Sequence, residues 1–206
     1  PAFLGNLRNV VIAGFVLALL VIGLHLKLQG EGFVPEIFWR YLIRTLHIIS
    51  GVMWIGLLWY FNFVSTPTTP KIPDELRPAL GRFITPAALF WFRWGAMGTI
   101  VVGIILAYMN GYLLPAYTLD ATEGFTDEKN IIIGIGMWLG TIMWFNVWFL
   151  IWPNQQKALN IDGKYPDLPA AEKAAAGKTA GQFSRINTLL SIPMLFCMAG
   201  ATHLFI

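Results

Sequence analysis

The chain has 206 residues, of which 56% are hydrophobic and only 12% charged, where an ordinary soluble domain carries about a quarter charged residues. That balance excludes a water-soluble globule and predicts an all-α integral membrane bundle, with residues 1–206 forming a single transmembrane helical domain. The net charge of +3 accompanies no nucleic-acid motif, and a single cysteine, Cys197, rules out an intrachain disulfide, a thiolate zinc cluster and covalent CxxCH haem attachment.

Five apolar runs reach the roughly 20 residues that a bilayer core requires. The first, 9–28, follows PAFLGNLRN, which has no cleavage pattern, and reads as a retained helix. His25 lies near its end, in GLHLKLQG.

The second run, 38–64, carries His47 in LHIISGVMWIGLLWYFNFV. An ionisable ring inside such a run needs a partner that offsets its loss of water. Gly51 and Trp54 follow one and two turns later, so one helical face presents an imidazole, a bare backbone patch and a large flat ring. That face suits haem, whose iron takes an axial imidazole; a histidine hydrogen-bonded to a neighbouring helix fits the string equally well. Arg44 and Arg40, one and two turns outward of His47, have the fork geometry for haem propionates or for lipid headgroups.

Residues 65–89 hold Pro67, Pro70, Pro73, Pro78 and Pro86 among scattered charges and read as a loop with a short surface helix. The third run, 90–113, leads to an acidic stretch, 115–129, with Asp120, Glu123, Asp127 and Glu128. After the fourth run, 130–152, residues 154–183 start as a turn and continue as AAEKAAAGKTAGQF, expected to lie as a helix on the membrane surface. The fifth run, 185–206, bears Asn187, Ala199, Gly200 and His203.

Basic residues set the orientation. With the N-terminus cytoplasmic, that side collects Arg8, Lys71, Arg77, Arg82, Arg93, Lys157, Lys164, Lys173, Lys178 and Arg185, while only Lys27, Arg40, Arg44 and Lys129 fall outside. In that topology His25, His47 and His203 share the outer half of the bilayer, His47 about 9 Å deep at helical rise. The expected ligand pair for one haem b is His47 and His203, with His25 as alternative ligand. A copper or zinc site built on the three histidines is the inorganic alternative. No hydrolase triad, phosphate loop, paired intramembrane carboxylates or broken helices occur, which argues against hydrolytic, nucleotide-driven, proton-pumping and transporter roles.

The strings YLIRTLHIISGVMWIGLLWYFNFV (41–64), WFRWGAMGTIVVGIIL (91–106), MWFNVWFLIWPNQQKAL (143–159) and SRINTLLSIPMLFCMAGATH (184–203) resemble, in order, the N-terminal membrane domain of bacterial cytochrome c-fused urate oxidases. His47, Asn187 and His203 match that family's pattern residue by residue. The resemblance implies a bacterial inner-membrane oxidoreductase working with a c-type cytochrome or within a larger respiratory, photosynthetic or oxidative complex. Two departures stand out: the 206 residues include no cytochrome c domain, and Gly95 replaces the glutamate of the family's W-x-x-W-E. Three roles follow as expectations: haem b electron transfer, a purine oxidase paired with a separate cytochrome, or a structural subunit without cofactor.

Overall fold

The computed structural model describes residues 3–204, and among these every regular element is helical. Five helices are long and apolar enough to cross a membrane: α1 (Leu7–Gln29), α2 (Pro35–Lys71), α3 (Arg77–Met109), α4 (Glu128–Leu159) and α5 (Ala170–His203). The last two residues of the expected fifth span lie outside the described residues. Contacts divide the chain into two units, one up to Tyr41 and one from Leu42 onward.

In the first unit, Asn6 caps α1 by accepting a hydrogen bond from the Arg8 N–H at 3.0 Å. No residue of α1 is buried within the protein.

The second unit has a core of Trp54, Leu58, Leu89, Phe92, Met143, Val147, Ile151 and Met194, drawn from α2, α3, α4 and α5. Glycines set how closely these helices approach. A Cβ on Gly136 would stand 3.0 Å from the Cys197 Cβ, so the bare position lets α4 and α5 pack backbone to side-chain root. Polar clips join the same helices inside the apolar core. Asn146 donates to the Asn187 side-chain carbonyl at 2.8 Å, and Asn187 donates to the Met143 carbonyl at 2.9 Å. Trp59 donates to Ser191 at 2.9 Å.

The helices run farther than the polarity of the sequence implies. The expected loop at 65–89 is mostly helical: Pro78 sits in the first turn of α3, where its missing N–H costs no hydrogen bond, Pro67 and Pro86 come just after the π-helical turns Tyr60–Ser65 and Leu80–Ile84, and Pro70 lies in the 3-10 turn that ends α2. Residues 154–159 are not a turn but the end of α4, which stops at left-handed Asn160 (φ 47°). The alanine-rich segment is not a separate helix lying on the surface; it is continuous with the last span. Nothing between Phe183 and Ser184 breaks the helix, and α5 therefore runs 34 residues, about 51 Å and longer than a bilayer core is thick.

Three π-helical segments interrupt the regular turns: Tyr60–Ser65 in α2, Leu80–Ile84 in α3 and Asn146–Ile151 in α4. Since consecutive helices alternate in direction, all three gather at one end of the bundle. There the Arg93 guanidinium lies over the Trp152 ring, 3.3 Å from its centroid.

Candidate functional site

His47 points into α3. Its Nδ1 is 2.9 Å from the Thr99 carbonyl oxygen, and because a carbonyl only accepts, Nδ1 carries the proton. The sequence of α3 explains why that carbonyl can be reached. A helical carbonyl points toward the residue four positions on, and here that residue is Gly103, with no side chain to cover it. A Cβ on Gly103 would lie 2.8 Å from His47 Cε1 and 3.0 Å from Nδ1. The imidazole therefore occupies a notch that only glycine leaves open.

The same face continues down the helix pair. A Cβ on Gly98 would meet the Ser50 hydroxyl at 3.0 Å, and one on Gly95 would meet the Trp54 backbone nitrogen at 3.1 Å. Gly51 faces the Thr99 methyl at 4.0 Å. Trp54 is 1% exposed. Helix α3 thus covers the face on which the sequence placed a porphyrin edge, so Gly51 and Trp54 do not fit as a haem cradle. Gly95 explains its own departure from W-x-x-W-E: a glutamate side chain there would collide with the backbone of α2.

His47 itself fits as a ligand. With Nδ1–H held by a carbonyl, the lone pair belongs to Nε2, which makes no hydrogen bond among the described residues. His203 is the last residue of α5 and is exposed. The small-residue space one turn before it is taken by neighbours, since a Cβ on Gly200 would meet Leu204 at 3.1 Å and Ile132 at 3.7 Å. Arg44 is exposed. It acts electrostatically on Tyr112, whose phenol is pushed above its ordinary range by burial, with Arg44 opposing that rise. In the first unit, Arg40 pairs with Glu36 at 2.5 Å, and His25 is exposed on α1. Among the described residues no group of three or more histidine, cysteine, aspartate or glutamate side chains is disposed to hold a metal ion. The structure thus gives His47 a partner, leaves His203 at a helix end, and turns the Gly51–Trp54 face into a helix contact.

Sequence reasoning missed Thr99 and Gly103. The signal was a string of small residues on α3, Gly95, Gly98, Thr99 and Gly103, spaced to present one face.

A second ordered site lies between α3 and α4. Asp120 is fully buried in the acidic stretch, with left-handed φ of 63°. Its carboxylate accepts from the Thr126 and Asp127 N–H groups at 2.8 and 2.9 Å and from the Asn130 side chain at 2.8 Å. The Asp127 bond foremost, then Asn130, holds the carboxyl below its ordinary range, against the opposing effect of burial.

These features define an all-helical protein with five helices able to cross a bilayer by length and composition. Residues 109–205 match the family described as urate oxidase N-terminal, so α4, α5 and His203 lie in the part of the chain that is similar to it, while His47 lies before it. No curated protein and no solved structure matches the chain.

Proposed function

We propose that the chain is a multi-pass membrane protein, related to the urate oxidase N-terminal family, that carries one b-type haem on His47 and passes electrons within a larger oxidative membrane assembly. The observation that carries this reading is the His47–Thr99 hydrogen bond, which fixes the ring and leaves Nε2 as the coordinating atom. His203 is the second ligand in this reading, and Arg44 stands outward of His47 for a propionate. A bound haem, which His47 and His203 would hold between them, would supply one-electron redox chemistry, and a metal held by two imidazoles favours relay over oxygen chemistry. The asymmetry of basic residues supports a cytoplasmic N-terminus, with the acidic stretch and a c-type cytochrome partner on the other side. The test is a reduced-minus-oxidised spectrum of protein expressed with ample haem. A b-type signal that disappears in His47→Ala is expected, and a wild-type protein without that signal overturns the proposal.

A structural-subunit reading is favoured by the burial of the Gly51–Trp54 face under α3. It predicts co-purification with a partner complex and no haem, His47 serving as a clip between helices. An oxidase reading is favoured by the match over residues 109–205. Urate-dependent reduction of an added c-type cytochrome would distinguish it from both.

A further inference from the structure

At the end of the bundle where the π segments gather is a cavity of about 250 Å³. Tyr60 and Phe61 contribute an aromatic wall, their ring centroids 5.6 Å apart. The hydroxyls of Tyr60, Ser65 and Thr85, all lining residues, make no hydrogen bond among the described residues. Accessible hydroxyls free to donate beside apolar walls suit a ligand that brings hydrogen-bond acceptors on an otherwise apolar frame.

Arg77, the charged residue of the lining, already has three partners. Arg77 gives its Nε to the Ile72 carbonyl at 2.8 Å and one terminal nitrogen to the Pro70 carbonyl at 2.7 Å, while the other pairs with Asp74 at 2.6 Å. A guanidinium spent in this way does not call for an anionic head. The volume falls below the range of about 300–1,000 Å³ that encloses a whole drug-sized ligand, so it suits a head alone. Val64, Phe83 and Ile84, neighbours of the lining in sequence or part of it, are exposed apolar residues along which a tail can run into lipid.

We propose that this cavity, formed where the π segments of α2 and α3 meet the end of α4, binds the uncharged dicarbonyl ring of a membrane quinone. The ring lies against Tyr60 and Phe61, and its carbonyl oxygens accept from the Ser65 and Thr85 hydroxyls. The site stands apart from His47, about 20 Å along α2 from Tyr60 at helical rise, and its test uses no haem signal.

The full chain in detergent is titrated with decylubiquinone, read by quenching of tryptophan emission and by the rise in unfolding temperature that a ligand of the native state produces. Saturable quenching with a rise in unfolding temperature is expected. Affinity should fall about tenfold in Ser65→Ala/Thr85→Val, which removes two hydrogen bonds. Gly81→Phe should abolish binding by filling the cavity, since a Cβ there has room, 3.6 Å from Leu159. Circular dichroism checks that both variants fold, and Gly81→Ala serves as a milder filler if Gly81→Phe does not. Non-saturable quenching in the wild type, equal affinity in all folded variants, or a co-purified phospholipid that decylubiquinone does not displace would each overturn the proposal.

Discussion

The imidazole of His47 fills the space that a side chain on Gly103 would need, 2.8 Å from its Cβ position. Gly103→Ala must therefore push the ring away from the Thr99 carbonyl. A destabilisation of about 1–3 kcal/mol is expected for such overpacking, seen as a lower unfolding midpoint. Gly51→Ala, whose Cβ would only touch the Thr99 methyl at 4.0 Å, should leave the midpoint nearly unchanged. In haem-loaded protein Gly103→Ala should also shift the Soret band. Equal midpoints for the two variants would mean that the notch does not constrain the ring.

Asn187 both accepts from Asn146 and donates to the Met143 carbonyl. Asn187→Ala strands a buried amide and is expected to cost about 1–3 kcal/mol. Asn146→Ala deletes one bond and should cost less, nearer the ~0.6 kcal/mol typical between membrane helices. Denaturant titration in mixed micelles orders the two, and a larger loss for Asn146→Ala would contradict the network as described.

Asp120 makes stability depend on acid. Its carboxyl is held below the ordinary range, so the folded state binds its proton less readily than the unfolded state does. The stabilisation is complete above the ordinary aspartate value of about 3.9 and is lost as the pH falls through the lower folded value. Wild type and Asp120→Asn should therefore differ in resistance to proteolysis of the 118–130 segment at neutral pH and converge in strong acid. A difference that is constant from neutral pH to strong acid would rule out the carboxylate as its source.

The orientation inferred from basic residues is checked by labelling. In a Cys197→Ser background, Thr122→Cys should react with an impermeant maleimide in intact cells, and Gly163→Cys only after the membrane is opened. The reverse pattern would invert the topology and place the acidic stretch in the cytoplasm.

The five long apolar helices were legible because their runs of apolar residues are long and nearly free of charge. Their ends were not, because prolines at 67, 70, 78 and 86 look like breakers, whereas Pro78 sits in a first turn, Pro67 and Pro86 come just after π segments and Pro70 falls in the turn that ends α2. The alanine-rich segment before Ser184 looked separate because its polarity changes while its helix propensity does not. His47 was identifiable as the residue that needs a partner. Which partner it takes was not, since one face of a helix cannot reveal whether a ring or another helix lies on it. That choice lies on α3, where a threonine and a glycine four apart expose one carbonyl.

Each π segment accommodates one residue more than a regular helix would hold over the same rise. Deleting a single residue within Asn146–Ile151 would restore even winding, yet swing everything beyond it by about 100°. Trp152 would then turn away from the guanidinium of Arg93 that it now faces. Such a shortened chain would keep its hydropathy profile and lose its side-chain register, so the bundle depends on miscounted turns that composition does not record.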